Sequence, residues 1–104
     1  MDWKSAENKN LADTFMTLKN RDETARFLRD LLTEDEISEF SRRLAAARML
    51  SQKRPYSSIV KTTGLSSTTV ARVSKFLKRG AGGYKLVLNR LHHAHPLREE
   101  TGGG

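Results

Sequence analysis

Short hydroxyl side chains and cations follow one another between residues 67 and 79, in an order suited to contact with nucleic acid. Hydroxyl and methyl groups can bond or pack at base edges, and an arginine can form two hydrogen bonds to guanine. The sequence predicts that bases are contacted by Ser67, Thr68, Thr69, Ala71 and Arg72. Cations and hydroxyls around this set are suited to phosphate oxygens. The predicted phosphate contacts are Lys53, Arg54, Ser57, Ser58, Lys75, Lys78 and Arg79.

These side chains need a helix that presents them, and residues 56–78 read as a helix-turn-helix. Gly64 can adopt the left-handed backbone angles that end a helix. Ser66 can cap the next helix, with Leu65 and Val70 placed for a hydrophobic staple. The apolar residues expected to pack the two helices are Ile59, Val60, Leu65, Val70 and Val73. Similar helix pairs occur in proteins that never contact DNA, so the motif alone does not decide the function.

The charge distribution favours an anionic partner. The net charge is +7, yet residues 40–98 contain thirteen Lys or Arg and no Asp or Glu. A segment of one sign repels itself unless it meets an anion. Nucleic acid is favoured over a membrane surface, because the apolar residues of this segment are needed for helix packing and neither end carries a lipidation signal. Double-stranded DNA is therefore the expected partner, and no binding to a membrane is expected.

Several other function classes are disfavoured by composition. The 104 residues include no cysteine, no apolar run long enough to span a bilayer and no signal-peptide pattern, so a cytoplasmic protein is expected. Neither familiar glycine-rich phosphate loop occurs and the middle of the chain lacks carboxylates, so no enzyme and no cofactor are predicted. His92, His93 and His95 lack acidic or cysteine neighbours. We expect adventitious nickel or zinc binding there and no designed metal site.

Apolar periodicity predicts six helices and no strand, an all-α protein. The first helix is predicted over residues 8–19 and the second after an N-cap at Asp22. A capping box at residues 33–36 begins a third helix that runs to about Gln52, with Phe40 on its packing face. Residues 80–83 separate the helix-turn-helix from a last helix with an apolar stripe at Tyr84, Val87, Leu88 and Leu91. One domain is expected over residues 1–92, followed by a disordered tail over residues 93–104, because no apolar periodicity remains there.

Residues 31–91 resemble the bacterial Trp repressor family. LLTEDEISEFSRRL is similar to the start of that family's long third helix, and TTGLSSTTVARVSKFL is similar to its helix-turn-helix. The chain is more similar still to the group of Trp repressor-like proteins without a known tryptophan ligand. The resemblance implies a six-helix fold and an intertwined homodimer, in which the N-terminal helices and last helix of two subunits interlock. It also implies a transcriptional regulator, with a repressor favoured, on a palindromic operator whose half-sites lie about one helical turn apart.

The resemblance further implies candidate effector residues. Two arginines hold the amino acid in the Trp repressor, and the matching positions are Arg72 and Arg43, or Arg42 in a register shifted by one. Val73 and Phe76 occupy positions that match glycine and serine in the family's indole slot. We therefore expect tryptophan not to bind, with side chains filling the space of a flat ligand. For Arg43, a phosphate contact or a solvated charge is the favoured alternative.

A different kind of function is also open at this point. The helices could dock on a protein of the transcription or replication machinery, through the region of Trp3 and Phe15 or through the helix-turn-helix itself. Association with a protein partner that is insensitive to salt, without binding to DNA, would distinguish this alternative from a DNA-binding regulator.

Overall fold

The computed structural model describes residues 1–94, and over this range it contains six helices and no strand. The helices are α1 (Ala6–Phe15), α2 (Arg21–Leu31), α3 (Glu34–Ser51), α4 (Tyr56–Thr63), α5 (Ser67–Arg79) and α6 (Gly83–Ala94). The predicted all-α fold is confirmed. The disorder predicted for residues 95–104 falls outside the described residues.

The described chain divides into two compact units, with the boundary between Ser38 and Glu39. In the first unit, α1 is capped by Ser5, whose hydroxyl accepts a hydrogen bond from the backbone N–H of Asn8 at 3.3 Å. α1 ends at Phe15, earlier than periodicity predicted, because Thr17 donates its hydroxyl hydrogen to the Thr14 carbonyl and tightens the chain into a turn. Phe15 still contacts α2, where its ring meets Phe27 edge to face at 5.4 Å.

The predicted cap of α2 was wrong, because Asn20 caps this helix and Asp22 does not. The Asn20 side chain accepts the Glu23 N–H at 2.9 Å, and the Glu23 carboxylate accepts the Lys19 N–H at 3.0 Å. Asp22 lies in the first turn, where it forms an exposed ion pair with Arg26. Asparagine is as good a cap as aspartate, and only Asn20 has a glutamate three residues on.

The capping box before α3 is confirmed. Thr33 accepts the Glu36 N–H at 3.1 Å, and the Glu36 carboxylate accepts the Thr33 N–H at 2.9 Å. The periodicity was less accurate about packing, because Phe40 is 45% exposed. Later on the same helix, Ala46 and Ala47 are fully buried. Both belong to the buried core of the second unit.

The core of the second unit is built around the helix-turn-helix. Its buried members are Ala46, Ala47, Met49, Ile59, Leu65, Val70 and Val73, with Leu50, Val60, Tyr84 and Leu88 packed against them. All five apolar residues predicted to pack the motif are therefore in or against the core. Val87 of α6 was predicted to join the apolar stripe of that helix, but it is 41% exposed.

α6 continues to Ala94, so His93, which the sequence placed at the start of the disordered tail, lies in a helix. A single domain over residues 1–92 stays a prediction. None of the helices described for this chain is both long enough and apolar enough to cross a membrane.

Candidate nucleic-acid interface

The start of α5 is held by local hydrogen bonds that the sequence predicted. Gly64 ends α4 with φ of 76°, in the left-handed region, and donates its N–H to the Val60 carbonyl at 2.9 Å. Two residues later Ser66 is extended, and its hydroxyl oxygen accepts the Thr69 N–H at 3.1 Å. Leu65 and Val70 on either side are buried. The first turn of α5 is thus fixed without any ligand.

The predicted base-contacting residues lie on α5. Ser67, Thr68, Ala71 and Arg72 are exposed, whereas Thr69 is half-buried and accepts a hydrogen bond from the Ser66 hydroxyl at 3.0 Å. Thr69 therefore supports the cap as well as facing the candidate interface. The small side chains occupy the first turn and Arg72 follows in the second, which is the order needed by a helix whose N-terminal part enters a major groove.

Arg72 has a neighbour on its own helix that the sequence analysis did not pair with it. The guanidinium carbon lies 5.7 Å from the centroid of the Phe76 ring, a cation–π contact between residues four apart. Phe76 is 46% exposed in the chain, and the expectation that it fills the space of a flat ligand stays a prediction. Val73, by contrast, is buried in the core. The i, i+4 spacing of an arginine and an aromatic residue was a readable signal for this contact.

The second candidate effector arginine is also engaged. Arg43 pairs with Glu39 at 3.1 Å, and its guanidinium carbon lies 5.8 Å from the centroid of the Phe40 ring. Glu39 is the only acidic residue in the range 39–94. Arg42, the alternative in a shifted register, is exposed. The two candidate effector guanidinium groups therefore have partners on their own helices.

The predicted phosphate contacts form two sets, one before and one after the first turn of α5 along the chain. Lys53 and Arg54 lie in the loop before α4, and Ser57 and Ser58 lie in the first turn of α4. Lys75, Lys78 and Arg79 lie along α5. All seven are exposed except Ser58, which is half-buried. The cations have few carboxylates to meet, because the second unit contains only Glu39 before residue 95.

Lys53 has an unusual backbone conformation. Its φ is 63°, and over the described part of the chain it is the one residue other than glycine with a positive φ. Its N–H bonds to the Leu50 carbonyl at 2.9 Å, and the N–H of Arg54 bonds to the Met49 carbonyl at 3.1 Å. This pair of bonds is a Schellman motif, in which glycine normally occupies the left-handed position. α3 therefore ends on a lysine at a position that favours glycine.

We expect Lys53→Gly to stabilise the fold and to weaken DNA binding at the same time. Relief of left-handed strain, about 1–2 kcal/mol, is partly offset by the extra freedom of glycine in the unfolded chain, about 0.5–1 kcal/mol. A net gain of about 0.5 kcal/mol in urea unfolding is the expected result. Lys53→Ala serves as the control, since it removes the same charge and keeps the strain. A loss of stability in Lys53→Gly would contradict this account.

His92 and His93, two of the three histidines for which no designed metal site was predicted, lie at the end of α6. The rings of His92 and His93 are tilted, with centroids 5.7 Å apart. Between residues 1 and 94 no group of three or more His, Cys, Asp or Glu side chains is placed to hold a metal ion. His95 is outside the described residues, so the expectation for the full histidine cluster stays a prediction.

Comparison with known proteins gives a consistent family assignment. Residues 6–92 match the family model described as Trp repressor protein. YerC of Bacillus subtilis (strain 168), an uncharacterised protein, is 37% identical over 81 residues, which is 78% of each chain. The crystal structure of a TrpR-like protein from Eubacterium eligens superposes with a TM-score of 0.80 and 36% identity, covering 86% of this chain and 92% of that one. The crystal structure of a Staphylococcus aureus protein also superposes with a TM-score of 0.80 and 35% identity, covering 88% of this chain and 94% of that one.

Proposed function

The chain belongs to the Trp repressor family, and from that membership we propose that it is a dimeric, sequence-specific transcriptional regulator that represses by binding a palindromic operator. The family's function is DNA-binding regulation. The observation that carries the proposal is the surface of α5, where small polar groups and Arg72 are exposed, with cations before and after them along the chain in a segment without carboxylates. Such a surface complements base edges flanked by phosphates.

The dimer is supported by the first unit. Neither α1 nor α2 contains a buried residue, and Leu11, Phe15 and Leu31 are each at least 40% exposed. Isolated helices of 10 or 11 residues are marginal in water. We propose that the N-terminal helices of one subunit cover apolar surface on the other. Folding and dimerisation would then be one process.

The proposed mechanism follows from the two-fold symmetry of such a dimer. Each subunit presents one α5 to a major groove, and an operator with two half-sites about one helical turn apart matches this arrangement. Bases would be contacted by Ser67, Thr68, Thr69, Ala71 and Arg72. Phosphates would be contacted by Lys53, Arg54, Ser57, Ser58, Lys75, Lys78 and Arg79. We propose no catalytic activity and no cofactor. The proposed location is the bacterial cytoplasm, where the chromosome lies.

No obligate effector is part of the proposal, and tryptophan is expected not to bind. Val73 is buried in the core, and Arg72 and Arg43 already contact groups on their own helices. Isothermal titration of tryptophan into the protein should give no heat of binding up to millimolar ligand. A dissociation constant in the micromolar range would contradict this expectation. Such a result would also assign Arg43 and Arg72 to a ligand site.

Selection of bound sites from a random duplex library, in moderate salt and without added ligand, tests the proposed function. Recovery of a palindrome with major-groove half-sites is the expected result. If no sequence is enriched while low-salt binding to any duplex persists, either a missing effector orients the recognition helices or the basic surface is not specific. Absence of DNA binding at low salt would favour the alternative of a protein-docking module, for which exposed Trp3 is the first candidate contact.

A further inference from the structure

A cleft of about 450 Å³ lies between the loop before α4, the second half of α5 and the beginning of α6. The polar residues along its walls come from all of these elements. They are Lys53, Arg54, Tyr56, Ser74, Lys78 and Lys85, together with Ser51 at the end of α3. The cleft therefore joins predicted phosphate contacts from two sides of the helix-turn-helix to a helix outside that motif. Lys85 of α6 did not figure among the sequence-predicted contacts.

The lining of the cleft has one sign of charge. Four of its residues are cations, and none of those that line it is acidic. Leu50 and Leu77 contribute apolar surface beside them. Like charges gathered at one concave site repel each other unless an anion neutralises them. The composition of the walls thus fits an anionic ligand.

The hydrogen-bonding groups in the cleft narrow the chemistry of that anion. Ser74 is 3% exposed and Tyr56 is 43% exposed, so Ser74 lies deep in the wall and Tyr56 lies at its edge. Two hydroxyl donors together with arginine and lysine groups match the several acceptor oxygens of a phosphate. A phosphate accepts bonds from several directions at once, whereas a planar carboxylate presents two oxygens in one plane.

The strained backbone at Lys53 gives independent support. A left-handed lysine costs stability that a glycine at the same position would avoid, and such strain clusters at functional sites. The Schellman hydrogen bonds that hold it also hold Arg54, the next residue along the same wall. The end of α3 is thus fixed in a geometry that keeps two cations beside the cleft.

We propose that this cleft binds a phosphate group and that Lys85 is one of its ligands. The inference rests on the proposed function, which it deepens by extending the phosphate-binding surface from the helix-turn-helix to α6. The phosphate can belong to the DNA backbone or to a small phosphorylated molecule. The backbone is the favoured source, because Lys53, Arg54 and Lys78 are shared with the predicted backbone contacts.

Lys85→Gln tests the proposal, with Arg90→Gln as the matched control. Both residues are exposed on α6 and each change removes one positive charge, but only Lys85 lines the cleft. Binding of a random-sequence duplex is measured from about 50 to 200 mM salt, a range over which phosphate contacts dominate the affinity. In Lys85→Gln, the plot of the logarithm of the DNA association constant against the logarithm of the salt concentration should be less steep. Its slope should decrease in magnitude by about 0.9 for each subunit bound to the duplex. It should be unchanged in Arg90→Gln, and circular dichroism should show the same helix content in all three proteins.

The second arm titrates inorganic pyrophosphate into the DNA-free protein by calorimetry. A reduced salt slope in Lys85→Gln without pyrophosphate binding identifies the DNA backbone as the source. Pyrophosphate binding that Lys85→Gln abolishes and Arg90→Gln preserves, with the slope unchanged, identifies a small phosphorylated molecule. Equal slopes in both variants, together with no pyrophosphate binding, overturn the inference while the wild-type protein still binds DNA. Failure of the proposed function is a different result, namely that the wild-type protein binds no duplex even at low salt.

Discussion

Replacing Arg72 with alanine should weaken binding to the selected operator by about 1–3 kcal/mol for each half-site and relax the base preference at one position within it. Arg72 is exposed in the second turn of α5, directly after the small side chains of the first turn. A guanidinium there can form two hydrogen bonds to guanine in the major groove. Phe76 beneath it restricts the rotamers of Arg72, so the side chain gives up less conformational freedom when DNA binds.

The measurement is a competition assay against operators substituted one base pair at a time. Lys78→Ala is the control, because Lys78 lies on the same helix and is predicted to contact phosphate. It should weaken all duplexes alike and lower the salt slope by about 1. Arg72→Lys should retain only part of the base preference that Arg72→Ala loses, since an ammonium cannot reproduce the planar fork of a guanidinium. Equal weakening on operator and random duplex for Arg72→Ala would show that Arg72 contacts no base.

Replacing Leu11 with glutamate should dissociate the dimer and unfold much of the protein with it. In the single chain Leu11 is 41% exposed, and a substitution on such a surface changes stability by about 0.5 kcal/mol or less. In the proposed dimer the same face is covered by the partner, and burial of an unpaired carboxylate costs several kcal/mol. The two expectations differ enough for one variant to decide between them.

Asn10→Glu is the matched control, because it adds the same charge at the neighbouring exposed position of α1. Sedimentation equilibrium gives the mass of each protein, and melting curves over a hundredfold range of concentration report linked dissociation. Wild type and Asn10→Glu should sediment as dimers, with melting temperatures that rise with concentration. A monomeric wild type, or a Leu11→Glu variant as stable and as dimeric as Asn10→Glu, would remove the basis for the intertwined dimer.

Local features of this fold could be predicted because their hydrogen bonds join residues that are close in sequence. The Thr33 capping box, the left-handed Gly64 and the Ser66 cap each depend on partners within four residues. The cap of α2 was mispredicted although it is equally local. Asn20 and Glu23 carry the spacing of a capping box, so the signal was present in the sequence.

Exposure was harder to predict, because it depends on which element covers a face. Phe40 and Val87 satisfy the apolar spacing of their helices and are nevertheless exposed in the chain. The spacing defines an apolar face, but only tertiary or quaternary contacts decide what that face meets. For Phe76 the single chain shows a contact with Arg72 at the surface, and its role in place of a flat ligand stays a prediction.

The amino-acid sequence by itself determined the helical class, the helix-turn-helix with its capped second helix, the segregation of charge and the resemblance to the Trp repressor family. These properties follow from composition, short-range hydrogen bonds and periodicity. Only the tertiary structure decided that the loop before α4 and the start of α6 converge, so that Lys85 shares a cleft with Lys53. Lys53 and Lys85 are more than twenty positions apart in the sequence. The packing of α3, α5 and α6 brings them together, and no local spacing in the sequence predicts that packing.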